Sequence, residues 1–388
     1  MERREVLRSE LARTRSDTDA LFDLISPEAV YQRPVAERNR LVFYRGHLEA
    51  FDWNVLGRRA LNAPAFQAEF DKLFERGIDP EPGAGPSDSA GDWPKLAEIE
   101  SYTATARQWI DAHVNDLDPG LLQMAIEHRQ MHAETFAYMM HNLPYSEKRG
   151  PKPTVMNLRA APANPMVQVP EATATLGNSS PGFSWDNERV AHQIHVPSFT
   201  ISKYKISNGE YMEFVRDGGP VPNFWARETN QWFFRGMFEC VPLPLDRPVW
   251  ITWRQADAFA NWRGLALPTE AQYRNAAAAG RPEPARDNFD MRRWDPIPVD
   301  AANSGNGHPE QMVGNGWEWT RDVFAPYKGF EVSPFYPGYS ADFFDGGHYV
   351  LKGASPRTAA LLTRPGFRNW FRPDYPYMYA GFRLVENR

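Results

Sequence analysis

A single cysteine, Cys240, stands in the 388 residues, so no intrachain disulfide framework can be drawn and a reducing, cytoplasmic setting is expected. Cys240 reads as a small buried hydrophobe rather than a nucleophile. Long apolar runs are also missing: nothing approaches the roughly 18 residues that would span a bilayer, so no membrane partner is expected. The N-terminal stretch MERREVLRSELARTRSD has no apolar centre and does not read as a secretory signal. A basic excess is absent as well. Lys and Arg total 43 against 49 Asp and Glu, a net charge of −6, which gives no electrostatic footprint for nucleic acid. No internal repeat is present, and histidine is scarce, with 9 in the chain.

Aromatic residues make up 13% of the chain and 34 prolines accompany them, a mix that suits a loop-rich region held together by ring clusters. The chain is long enough for two domains, and its two parts differ in pattern. Residues 1–143 show helical periodicity in four segments: EVLRSELARTRSDTDALFDLI, VFYRGHLEAFDWNVLGRRAL, LAEIESYTATARQWIDAHVNDL, and a run opened by Asp118-Pro119 that ends near Leu143. Four helices of this length predict an up-and-down bundle. GIDPEPGAGPSDSAGDWP, between the second and third, reads as a loop. Residues 144–170 read as a proline-containing linker, and 171–388 as short strands, Gly/Pro/Asn turns and modest helices around 207–216, 254–262 and 269–279.

In EHRQMHAE, His128 and His132 are one helical turn apart and project from one face, which is half of a metal site. The spacing alone is weak evidence, because two histidines at that distance also occur as packed or solvated side chains. A third ligand must come from elsewhere, and His47, in the aromatic context FYRGHLEAFDWN, is the best candidate. Three neutral imidazoles with open positions suit Fe(II), Zn(II) or Cu(II).

The stretches ISKYKISNGEYMEFV, RPVWITWRQADAFANWRGLALPTEAQYRNAA, MVGNGWEWTRD and YVLKGASPR, followed by TRPGFRNWFRPDYPYMYAGFRLV, resemble successive blocks of the formylglycine-generating-enzyme-like fold. LPTEAQY and GNGWEWT are the most specific of them. The helical part with HRQMHAE resembles the DinB-like domain that precedes this fold in the sulfoxide synthases of ergothioneine and ovothiol biosynthesis. The resemblance implies an α+β chain: a DinB-like four-helix bundle followed by a loop-rich, C-type-lectin-like formylglycine-generating-enzyme-like domain. It further implies a mononuclear non-haem Fe(II) held by His47, His128 and His132, with O2 as co-substrate. The small-molecule substrates would be hercynine (trimethylhistidine) and a sulfur or selenium donor. By motif, Tyr336 in SPFYPGYS matches the family's proton donor, with Tyr339 as a substrate contact, and Asn369 and Trp370 match positions that face hercynine. An aromatic ring attracts a quaternary ammonium, and an asparagine can bond a carboxylate.

The sequence departs from that pattern on the donor side. Phe371 stands where the ergothioneine synthases that take gamma-glutamylcysteine have an aspartate for the donor's amine. Met131 replaces a common glutamine before the second helical histidine, and both positions are expected to contact substrate. The loop GIDPEPGAGPSDSAGDWP lacks the arginines that hold donor carboxylates, and its Asp79, Asp88 and Asp92 are candidate partners for sugar hydroxyls. These departures favour the selenoneine-synthase branch, with a neutral selenosugar as donor. The alternatives are an ergothioneine synthase using cysteine or gamma-glutamylcysteine, a zinc-dependent DinB-like transferase, and a non-catalytic binding module. An ovothiol-type synthase is disfavoured because that class usually carries a further methyltransferase domain. Formylglycine generation is disfavoured because that chemistry relies on a cysteine pair.

Overall fold

In helix α1 (Glu2–Phe22), Leu7, Leu11, Thr14, Thr18 and Leu21 recur every three to four residues and form one buried stripe. The two buried threonines satisfy their hydroxyls on the helix's own carbonyls, Thr14 on Leu11 at 3.0 Å and Thr18 on Thr14 at 3.1 Å. Helix α2 (Leu41–Asp52) is buried along almost its whole length, as a central bundle helix must be, and it encloses His47, Glu49 and Asp52 with its apolar residues. Its expected continuation to Leu61 is present, but as a π-helical segment, Trp53–Ala60. A short α3 (Ala68–Leu73), not anticipated from the sequence, follows. Helix α4 (Leu96–His113) buries Ile99, Tyr102, Ala106 and Ile110 at helical spacing. Helix α5 (Pro119–His141) starts on Asp118, whose carboxylate accepts the N–H groups of Gly120 and Leu121 at 2.8 and 3.2 Å. Packing is α1 on α5, and α2 on both α4 and α5. The four long helices form the expected bundle.

This computed structural model describes residues 2–75, 86–151, 158–178, 181–278, 280, 282–302, 305 and 307–386. The chain divides into two compact units, Met1–Lys152 and Pro153–Arg388. Pairing in the second unit begins inside the stretch expected as a linker. Strand β1 (Met166–Val169) is followed by β2 (Ala172–Leu176), β3 (His192–Val196) and β4 (Phe199–Ser202), with β1 antiparallel to β4 and β2 antiparallel to β3. A meander of β5 (Trp225–Glu228), β6 (Gln231–Arg235) and β7 (Cys240–Pro242) comes next. Cys240 on β7 is half-buried, less enclosed than expected, and burial raises its thiol pKa. The largest sheet contains β8 (Gly316–Val323), β9 (Tyr349–Ala354), β10 (Asn369–Phe371) and β11 (Ala380–Gly381) in the order β10-β9-β8-β11, with β11 parallel to β8.

Helices α6 (Asn208–Arg216), α7 (Trp253–Trp262) and α8 (Glu270–Ala277) fall where expected. Ser207, Thr252 and Thr269 cap them with capping boxes. Behind β8, Glu318 is wholly buried and meets Lys205 at 2.7 Å and Arg383 at 3.0 Å, so the acid of the GNGWEWT block is a core anchor. Gly314 in the same block has φ +95°, and a Cβ there would lie 2.1 Å from the Asp287 carbonyl oxygen, which leaves glycine as the residue that fits.

Candidate metal centre and the aromatic site of the second unit

His47 on α2 and His128 and His132 on α5 converge inside the bundle, each offering a nitrogen within 4.8 Å of the others. His47 and His128 are buried, and His132 is partly so. The His47 Nδ1–H donates to the Phe74 carbonyl at 2.7 Å, which leaves the lone pair on Nε2. That Nε2 lies 3.2 Å from His132 Nε2. Two imidazole nitrogens each about 2.1 Å from one ion and at right angles would lie roughly 3.0 Å apart. The spacing therefore fits a shared metal. Phe43 stacks on His47 at 4.7 Å and Phe51 on His128 at 3.5 Å, fixing both ring planes.

Electrostatics keep the cluster neutral. Burial above all lowers the His47 pKa to about 4, helped by the Arg129 charge and partly countered by the Phe74 bond. Burial also holds His128 and His132 well below the usual imidazole range, with the neighbouring histidines adding to it. Neutral imidazoles are what a divalent metal requires. Behind the cluster Arg129 donates to Glu49 at 2.7 Å and Asp52 at 2.9 Å, all three enclosed, tying α5 to α2 beside the ligands. Burial pushes the Glu49 pKa up, but Arg129, Arg107 and Arg15 outweigh it and bring it to about 2. For Asp52 burial wins and its pKa is raised. The sequence reading missed this network, and also Arg38, whose positive charge contributes to the lowering at His132. Met131 is half-buried on α5.

In the second unit the remaining candidate residues fall into two ring groups, one around Trp370 and one around Phe371. Tyr336 and Tyr339 have ring centroids 5.7 Å apart, and Tyr339 meets Trp370 edge to face at 5.3 Å. Phe324 stacks flat on Trp370 at 4.2 Å. Asn369, Trp370 and Phe371 form β10 and are half-buried. Phe371 stacks on Tyr375 at 5.0 Å, and Tyr377 closes on Tyr375 at 5.2 Å. Arg368, next to Asn369, is held by the buried Glu270 at 3.3 Å and lies over Tyr327.

The donor-side loop differs from its sequence reading. Arg33 and Arg40, from the segment before α2, both reach it and pair with Asp88, the Arg40 contact at 2.9 Å. Trp93 Nε1–H donates to the same carboxylate at 2.7 Å. Asp92 accepts the Ser89 N–H at 2.6 Å and its hydroxyl at 2.9 Å. The loop thus receives two guanidinium groups from elsewhere in the chain, and both described acids serve its own structure. Asp79 lies outside the described residues.

Residues 152–388 match the sulfatase-modifying factor enzyme 1-like domain. The hercynine oxygenase of Mycolicibacterium smegmatis is 31% identical over 74% of this chain and 78% of that protein. The hercynine oxygenase of Mycobacterium tuberculosis is 31% identical over 74% of the chain and 77% of that protein. Ergothioneine biosynthesis protein 1 of Neurospora crassa is 26% identical over 94% of the chain but 56% of its own length, so the chain spans about half of that relative. The chain belongs to the ergothioneine-biosynthesis, hercynine-oxygenase family: a helical bundle joined to a sulfatase-modifying factor enzyme 1-like domain. Among the described residues no helix is long and apolar enough to cross a membrane.

Proposed function

We propose that the protein is a mononuclear non-haem iron enzyme that uses O2 to join a sulfur or selenium donor to the imidazole C2 of hercynine. The observation that carries this reading is the convergence of three neutral imidazoles, His47, His128 and His132, in a chain 31% identical to hercynine oxygenases. His47, His128 and His132 would hold Fe(II), which supplies one-electron and oxygen chemistry when three of its positions stay open. The chain's own residues then bind, orient and protonate. Trp370, stiffened by its stack on Phe324, offers a ring face to a trimethylammonium, and Asn369 a donor to a carboxylate. Tyr336 is the proposed proton donor, its phenol O–H being the group that would be given up. Tyr339 is the proposed contact beside it.

For the donor, the relatives named for ergothioneine biosynthesis favour sulfur, with cysteine or gamma-glutamylcysteine as the thiol we propose. The selenosugar reading rests on this chain's own residues. Phe371 stands where the resemblance implies an acid for the donor's amine, and its ring packs with Tyr375, which meets Tyr377, an apolar surface that suits a neutral donor better than a charged one. Arg33 and Arg40 are already spent on Asp88, which leaves less for donor carboxylates.

The test is aerobic turnover of anaerobically Fe(II)-loaded protein with hercynine and three competing donors, read by mass spectrometry. A hercynine adduct of a thiol or of the selenosugar supports the reading and assigns the donor. Bound zinc with O2-independent turnover would replace it with a DinB-like transferase. No hercynine product with any donor would refute it.

A further inference from the structure

The segment Trp185–Glu188 belongs to neither set of candidate residues, yet Trp185, Asp186 and Asn187 are each 1% exposed and Glu188 0%. One carboxylate in it grips both ends of the loop 333–340. Asp186 Oδ2 accepts the Ser333 N–H at 3.3 Å, and Oδ1 accepts the Ser340 hydroxyl and the Asn187 N–H, the latter at 2.8 Å. Asn187 Nδ2 adds a bond to the Ser340 hydroxyl oxygen at 3.3 Å. Within the loop the Tyr336 N–H reaches the Ser333 hydroxyl oxygen at 3.4 Å, and the Tyr339 N–H reaches the Tyr336 carbonyl at 3.3 Å. Trp185 stacks on Tyr339 at 3.9 Å with planes 23° apart.

The same segment reaches the other candidate strand. Glu188 accepts Arg364 Nε at 2.7 Å, and the Asn187 carbonyl accepts Arg368 Nη1 at 3.4 Å, immediately before Asn369 and Trp370. A loop with little secondary structure of its own has many conformations to lose, and anchoring both ends to one buried group removes most of them. Burying a charge for that purpose is costly, so an acid at this point asks for a reason beyond filling space. The reason we draw rests on the function proposed above.

We propose that Asp186 is the positioning residue of the Tyr336–Tyr339 loop: by holding Ser333 and Ser340 it sets Tyr339 between Trp185 and Trp370 and fixes where Tyr336 is presented. Asp186 does not itself touch substrate. Asp186→Asn keeps the shape and removes the charge, while Ser340→Ala removes one loop-end donor and leaves the acid. The full chain, without metal or substrate, is followed by amide hydrogen exchange. Loss of a charge-assisted bond predicts exchange about tenfold faster in 333–340, with the β8–β9 amides and the bundle unchanged. With iron bound, the KM for hercynine should rise several-fold while metal affinity stays as in the parent protein. Should Asp186→Asn fail to fold, Ser340→Ala carries the same test. Uniformly faster exchange across 153–388, or no change in 333–340 with either variant, would reduce Asp186 to a general brace of the fold and overturn the proposal. Because exchange is read without substrate, it stands or falls independently of whether hercynine is turned over.

Discussion

Replacing Arg129 with methionine removes the cation on which two buried carboxylates converge. Arg129 is 0% exposed and its Nη2 donates to Glu49 at 2.7 Å and Asp52 at 2.9 Å. The two acids are not left equal. Glu49 keeps Arg107 at 2.7 Å, whereas the remaining described partner of Asp52 is Arg15 at 3.9 Å. The cost therefore falls on Asp52, and an orphaned buried carboxylate costs about 3–5 kcal/mol. Burial already raises the Asp52 pKa against the pull of Arg129, so removing Arg129 raises it further. A carboxylate whose folded pKa exceeds its unfolded value stabilises relative to the anion at low pH, and that stability is lost as pH rises through the folded pKa. The Arg129→Met deficit should then be smaller at about pH 5 than at about pH 8. Urea unfolding of the metal-free chain, followed by far-ultraviolet circular dichroism, should show the bundle's transition shifted and that of the second unit in place. Arg129 directly follows His128 on α5, and its bonds to Glu49 and Asp52 tie α5 to α2, so Co(II) affinity should weaken about tenfold or more. Adding Asp52→Asn should recover much of the stability, since no buried charge then lacks a partner. A deficit below about 1 kcal/mol, flat in pH and untouched by Asp52→Asn, would refute this account of the network.

Gly46→Ala would set a Cβ 2.6 Å from the ring of Phe74, whose carbonyl holds His47 Nδ1–H; displaced Phe74 should cost about 1–3 kcal/mol and weaken Co(II) binding measurably by titration. Trp370→Ala removes the ring stacked on Phe324, and the KM for hercynine should rise about tenfold with a smaller change in kcat; an unchanged KM would remove Trp370 from the substrate side. Asp88→Asn releases Arg33 and Arg40, so the KM for gamma-glutamylcysteine should fall relative to that for a neutral donor, and an unchanged ratio would separate this loop from donor binding.

Much of the first unit was legible because its information is local. Leu7, Leu11 and Leu21 mark one face of α1, and Asp118-Pro119 marks the start of α5 by chemistry that acts within a turn. The π-helical Trp53–Ala60 was not legible, since its composition is that of an ordinary helix end and Gly57 there packs against Trp53. In the second unit α6, α7 and α8 carry a start signal in Ser207, Thr252 and Thr269, each followed three residues later by Glu or Gln. The strand order β10-β9-β8-β11 did not, because it joins segments far apart in sequence and β11 contributes two residues.

The candidate sites divide along the same line. His128 and His132 are joined by helical geometry and could be paired from spacing, while His47 on α2 stood out by its aromatic context and entered the set through the resemblance. The donor-side loop misled for the opposite reason. Read along the chain it is acidic and has no arginine, yet in space Arg33 and Arg40 arrive from residues before α2 and share the one carboxylate of Asp88. Absence of a residue type from a segment is thus weak evidence about the charge a ligand meets there, because long cationic side chains cross between segments at little cost in backbone. Asp186 is the same case with the sign reversed. Nothing in FSWDNE is periodic, and its partners Ser333 and Ser340 stand about 150 residues away. What sequence does offer at such a place is an energetic oddity: an acid directly after the aromatic residues Phe183 and Trp185, whose burial would have to be offset by contacts still to be found.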